Sequence, residues 1–346
     1  MSQYYYNPFG NSSDVNEARQ REYDRQLRVM QEKKEIRKIS FSLGCAIVAY
    51  LIIQLSAVSL LSAFGLYELY LNNPIFQDGF MIIGVSFASV AVPFGIVALV
   101  NKKRYTSPVI PNNRLKASRA FVWVAFGMGC CCILQIVVSI IVTFFYNVLG
   151  LELKSSETAS PNSILACFMN LIAIAIIPAI CEEFAMRCCS LQLLKKYGKG
   201  FAVVAVSIVF GLLHGNAIQF IFAFSIALVL GYITVRTNSI VPAIFIHMLN
   251  NGMSVIQDTV NFIAPDTFVT ADMQASSYVT SIIYILWIAV GAAAGFYLLI
   301  KKELVKKESK GQSVLTTGQK FIAFLSWMVI PFSILILITA QTVTKA

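Results

Sequence analysis

Charge is scarce in this sequence, and histidine is almost missing. Only 13% of the 346 residues are Asp, Glu, Lys or Arg, 57% are hydrophobic, and the whole chain holds two histidines. With the apolar residues gathered into long blocks, this composition excludes a soluble globular domain and points to an integral membrane protein. The stretch before the first block lacks the short apolar core and small-residue cleavage site of a signal peptide, so the chain is expected to keep its start. Cysteine is present but misplaced for disulfides. Its eight copies, at 45, 130, 131, 132, 167, 181, 188 and 189, all fall in apolar segments, and none is in an outer loop. The run GCCCI at 129–133 turns its thiols to different sides of a helix, so they cannot share an ion and read as small packing groups. The local H-E-x-x-H of soluble zinc proteases is absent, and so is any repeated half of the kind many transporters show.

What is there is helix. Apolar segments close to the ~20 residues that cross a hydrocarbon core run over 41–64, 80–100, 120–148, 164–189, 201–216, 217–235, 240–257, 277–300 and 321–341. The expected fold is an all-α, multi-pass transmembrane bundle of about nine spans. Eight remain possible, because only HGNAIQ separates 201–216 from 217–235 and that pair could be re-entrant. The chain divides into a polar tail (1–40), three spans (41–150), a central block (164–257) and two closing spans (277–341). Within the tail, YYYNPFGNSS reads as disordered, and EARQREYDRQLRVMQEKKEIRK reads as a solvated or membrane-surface helix.

Basic residues collect on the cytoplasmic side of membrane proteins. With the N-terminus inside, the tail, 101–119, the Lys195, Lys196 and Lys199 loop, Arg236 and 301–320 hold 24 of the 27 lysines and arginines. Lys154 and Lys345 fall outside, and Arg187 falls in the membrane. The outer loops carry Glu68, Asp78, Glu152, Glu157, Asp258, Asp266 and Asp272. The net charge of +10 is therefore an expression of topology and of contact with anionic lipid, and no nucleic-acid partner is expected.

Against this background CEEFAMR, at 181–187, stands out, because it closes the apolar run ILACFMNLIAIAIIPAI. A charge at the centre of a spanning helix costs about 2.5–3.5 kcal/mol on insertion scales, so it persists only where something pairs or uses it. Glu183 and Arg187 stand at i and i+4 and can pair along one face. Glu182 is turned about 100° away from Glu183 and must meet another neighbour. Both histidines also lie in membrane segments: His214 in FGLLHG, four residues after Phe210, and His247 in FIHMLNN, four before Asn251. Helix rise puts His247 about 10 Å from the cytoplasmic end and Glu182 and His214 nearer 20 Å, a mismatch for one site.

By chemistry alone these groups can cut an amide bond. Glu182, with His214, takes a proton from the attacking water, while His247 and Asn251 donate to the oxyanion. Alternatively Glu182, His214 and His247 hold Zn²⁺ with a metal-bound water as nucleophile. The bland reading makes Glu183 and Arg187 a structural ion pair and Asn251 a bridge between helices. A proton- or ion-coupled transporter and a non-catalytic immunity or scaffold protein are the rival functions.

Taken together, E182-E183-F-A-M-R187, F210-G-L-L-H214 and H247-M-L-N-N251 resemble, in order and separation, the type II CAAX prenyl endopeptidase family of CAAX proteases and bacteriocin-processing enzymes; the stretch LGYITVRTNSIVPAIFIHMLNN is also similar to theirs. The resemblance spans about 164–257. It implies an intramembrane endopeptidase opening toward the cytoplasm and acting on a membrane-associated peptide or protein. Glu182 would be the activating carboxylate, His214 its partner, His247 and Asn251 the oxyanion side, and Glu183 with Arg187 the supporting pair. It leaves both a metal-dependent and a glutamate-dependent mechanism open, and names neither the substrate nor an oligomeric state.

Overall fold

The computed structural model describes residues 12–154, 160–265, 268–270, 273–305 and 313–345. Most of YYYNPFGNSS, together with Glu157, Asp266, Asp272, Lys306, Lys307 and Lys310, lies outside them. Eleven helices follow in order: α1 (Ser12–Ala63), α2 (Tyr67–Asn72), α3 (Pro74–Val100), α4 (Ala117–Leu149), α5 (Ile164–Tyr197), α6 (Lys199–Leu213), α7 (Ala217–Thr237), α8 (Val241–Ile263), α9 (Ala275–Ile300), α10 (Thr317–Leu325) and α11 (Val329–Ala340). Each of the nine apolar segments is helical, which makes the protein an all-α multi-pass membrane bundle. By length and composition six helices suffice to cross a membrane among the described residues, and α10 with α11 would make a seventh.

Three departures from nine straight rods have local causes. At about 1.5 Å per residue, the 15 residues of α6 reach only about 22 Å, short of the ~30 Å core. The chain turns back at Gly215, whose φ of 60° suits glycine, and enters α7 with Asn216 capping the amides of Ile218 and Gln219. The last apolar segment is broken by an 81° bend between α10 and α11. In α1 the tail and the first span join in one 52-residue helix, about 78 Å long, whose polar half is laced by i,i+3 and i,i+4 pairs such as Arg21 with Glu17 and Lys38 with Glu35, both at 2.9 Å.

Contacts gather the basic segments at one end of the bundle. Glu35 of α1 pairs with Arg104 at 3.0 Å, Lys196 donates to the Arg104 carbonyl at 2.9 Å, Arg119 pairs with Glu303 at 3.1 Å, and Arg236 donates to the Leu304 carbonyl at 3.0 Å. Glu32 accepts from the Ser313 hydroxyl at 2.6 Å and the Val314 amide at 3.2 Å. At the other end two short strands, β1 (Leu151–Leu153) and β4 (Val343–Lys345), pair antiparallel, with Glu152 opposite Thr344. A second small ladder joins β2 (Phe268–Thr270) to β3 (Met273–Gln274).

Helix packing relies on small residues, as expected where lipid provides no hydrophobic drive. α4 and α9 cross at Gly129 and Gly291. A β-carbon on Gly291 would sit 2.6 Å from the Gly129 Cα, and one on Gly129 would sit 2.8 Å from the Gly291 Cα. We therefore expect Gly291→Val to destabilise the bundle by about 1–3 kcal/mol through overpacking, read as a lowered melting temperature in detergent. Gly79→Ala, with nothing within 4 Å of the added carbon, should melt as the wild type does; equal melting of the two variants would contradict the crossing.

Candidate active site

The carboxylates lie midway along α5, where the helix changes winding. Wide π-helical turns cover Leu171–Ile176 and Phe184–Ser190, on either side of an α-helical segment, Ile177–Glu183, that begins with Pro178 near its first turn. Proline has no N–H to donate in the helical ladder, so a carbonyl one turn back is left short. Asn251 of α8 supplies a donor to that region: its Nδ2 donates to the Ile174 carbonyl at 3.1 Å. At the second wide turn, Ser190 and Gln192 donate to carbonyls five residues earlier, those of Ala185 and Arg187, at 2.8 and 2.9 Å. The Cys189 carbonyl accepts from Tyr105 at 2.8 Å, and burial raises the pKa of that phenol above its ordinary value and keeps it a donor.

Glu183 and Arg187 are both 0% exposed. Arg187 Nε donates to Glu183 Oε2 at 2.8 Å, the pairing read from the i,i+4 spacing. The other carboxylate oxygen, Oε1, accepts from His247 Nδ1 at 3.1 Å. Glu183 thus joins α5 to α8 as well as bracing its own helix, and this second bond was not foreseen. Neither terminal nitrogen of Arg187 has a hydrogen-bond partner among the described residues, although the guanidinium lies 5.8 Å from the centre of the Phe210 ring.

Glu182, on the adjoining face, approaches His247 from the opposite side: its Oε2 is 3.8 Å from His247 Nε2. That is too long for a direct hydrogen bond, and this buried oxygen has no other partner among the described residues. With Nδ1–H given to Glu183, the Nε2 of His247 is turned to Glu182. His214 caps the end of α6, its Nδ1 held 2.9 Å from the Phe210 carbonyl, which leaves its Nε2 available as well. Phe210 meets both imidazoles edge to face, with ring centres 4.9 Å from His214 and 5.9 Å from His247.

The site residues therefore fall into one neighbourhood, with differing contacts. Glu182, Glu183, Arg187 and His247 form one polar group, Phe210 bridges the histidines, and Asn251 is attached to the α5 backbone. No hydrogen bond joins Glu182 to His214, nor His247 to Asn251, among the described residues. Asn250 donates to Asn251 Oδ1 at 3.4 Å. The donor types suit zinc, and each histidine has Nδ1 committed to an oxygen in the manner of metal ligands. Even so, no three His, Cys, Asp or Glu side chains are grouped to hold one ion among the described residues.

The depth mismatch expected from helix rise is not seen, since His247 lies 3.1 Å from Glu183 and 3.8 Å from Glu182. The loop before α4 covers the start of α8. Ile240 donates to the Pro111 carbonyl at 2.9 Å, Asn113 to the Asn238 carbonyl at 3.0 Å, and Asn112 bridges to Ser239. Thr237, Ser239 and Ile240 are all buried beneath it.

Residues 164–253 match the family model described as Type II CAAX prenyl endopeptidase Rce1-like. The chain carries an Rce1-like domain. No curated protein and no solved structure was found to match the chain. The Rce1-like domain takes in α5, α6, α7 and the first half of α8, and with them all seven residues singled out in the sequence. Removing one member of its buried ion pair strands the other charge, a loss of about 3–5 kcal/mol. Arg187→Ala should accordingly lower the detergent melting temperature and yield, whereas Arg21→Ala, in an exposed pair, should not. Wild-type melting of Arg187→Ala would contradict the pairing.

Proposed function

We propose that the protein is an intramembrane endopeptidase that cleaves a membrane-associated peptide or protein. The observation that carries the reading is the partly exposed Glu182 carboxylate on a membrane helix, whose buried Oε2 has no hydrogen-bond partner among the described residues and lies 3.8 Å from a histidine that is itself held by a second carboxylate. A charged oxygen left without a partner in such a place is costly as structure and useful as a base.

In this mechanism a water bound between Glu182 and His247 gives its proton to Glu182 as its oxygen attacks the scissile carbonyl. Both groups can touch one water across their 3.8 Å separation. Asn251, through the second hydrogen of its amide, and the Nε2–H of protonated His247 donate to the oxyanion. The intermediate collapses as the C–N bond breaks, and the leaving amine takes a proton from Glu182, with His214 Nε2 as the partner that relays it. Glu183 keeps His247 in orientation and stays out of proton transfer. Glu182, His214 and His247 are not grouped to hold one ion among the described residues, so no step is assigned to zinc, and metal analysis of the active protein tests that choice.

The basic end of the bundle, with 24 of the 27 lysines and arginines assigned to its segments, faces the cytoplasm in this reading, and the substrate enters from there. Whether that substrate is prenylated, a bacteriocin precursor or another membrane peptide is an outcome of the assay.

Glu182→Gln removes the base with almost no change in shape. We expect it to abolish cleavage of a membrane-peptide library by the purified protein, with melting unchanged. Turnover retained in the variant would remove Glu182 as the base. A folded wild type that cleaves no peptide, prenylated or not, would favour the scaffold or transporter.

A further inference from the structure

The turn that carries His214 is held from outside the Rce1-like domain. α6 stops at Leu213, so its last carbonyls have no helical N–H to accept from, and in a membrane protein they must be satisfied by other protein groups. The Leu213 carbonyl, next to His214 in the chain, accepts from the Tyr50 hydroxyl at 2.7 Å. Tyr50 belongs to α1, far from the matched residues 164–253. It extends the stripe of Ile36, Ile39, Leu43 and Ile47, each 0% exposed, at the three- and four-residue spacing of one helix face. A tyrosine on so deeply packed a face cannot follow the turn if the turn moves.

The same phenol lies within electrostatic reach of the Glu182 carboxylate. Tyr50 is thus bonded to the backbone beside His214, one of the two groups that the mechanism requires to cooperate and that no hydrogen bond joins among the described residues. The far side of the turn is fastened as well: Thr342 Oγ1 accepts from the Ala217 amide at 3.0 Å, and Asn216 Nδ2 donates to the Lys154 carbonyl beside the β1–β4 ladder. The turn is thus clasped on one side by the first long helix and on the other by Thr342 and Lys154, the residues flanking the β1–β4 ladder.

We propose that Tyr50 is a positioning residue for the cleavage, its hydroxyl fixing the Leu213 carbonyl and through it the placement of His214 relative to Glu182. The proposal rests on the endopeptidase reading above. It gives α1, which has no part in the family match, a role in the site.

Tyr50→Phe removes the hydroxyl and keeps the ring. On a peptide that the wild type cleaves from the membrane-peptide library, kcat should fall about tenfold, the scale of one lost hydrogen bond, with KM unchanged and the protein still folded at the assay temperature. Gln54→Ala, on the same helix and bonded to Ser89 at 3.1 Å, should leave kcat unchanged. Amide exchange at residues 214–216, followed by mass spectrometry, gives a readout that needs no activity. It should quicken in Tyr50→Phe and not in Gln54→Ala. Unchanged exchange at the turn, or a kcat loss no larger than the loss of folded protein, would overturn the proposal. A wild type that cleaves nothing would count against the endopeptidase reading alone, and the exchange result would still decide whether Tyr50 holds the turn.

Discussion

The arrangement depends on the satisfaction of one carboxylate, that of Glu183. It is wholly buried, and both of its oxygens are used, one by Arg187 on its own helix and one by His247 on the next. A buried charge stripped of partners costs several kcal/mol, so α5 and α8 must pack at the one relative depth that lets His247 reach it. Buried Ala173, Ala175, Ala179 and Ala185 on α5 are small enough to let neighbouring helices close in. Once Glu183 is fixed, the helix turn carries Glu182 about 100° around, to the other edge of the same imidazole. The contact made by Glu183 thereby sets where Glu182 points.

A second constraint comes from ending a helix inside the bundle. α6 stops short of a full crossing, and His214 sits at that stop. Such an end brings a polar side chain to mid-bundle, but it also exposes backbone carbonyls and amides that only protein can satisfy. Tyr50, Asn216 and Thr342 meet that need. The helices outside the matched domain are therefore more than packing around it.

Much of this was legible in the residues. Apolar block length gave the helices, and the alternation of basic loops anticipated which segments meet at one end, because both are properties of consecutive sequence. The pairing of Glu183 with Arg187 was legible for the same reason, being a contact within one helix. The bond from Glu183 to His247 was not, since it crosses helices whose relative depth depends on a loop, Pro111 to Asn113, folded over the start of α8. The bond from Asn251 to the Ile174 carbonyl left only a faint trace: Pro178, whose missing N–H marks a place where another donor is welcome. Tyr50 left none, because a lone tyrosine in a spanning helix looks like any amphipathic aromatic until its partner carbonyl is located. The break between α10 and α11 was also hidden, as an apolar run reads the same bent or straight.

The central claim, that Glu183 holds His247 while Glu182 is left for the reaction, is tested most directly by a double-mutant cycle on unfolding free energy in detergent, with Glu183→Gln, His247→Ala and the pair. Groups in contact couple by about 0.5–3 kcal/mol, whereas distant ones add. The account predicts coupling in that range between Glu183 and His247, and a smaller one when Glu182→Gln replaces Glu183→Gln. Additive losses for Glu183 and His247, or a stronger coupling through Glu182, would contradict it.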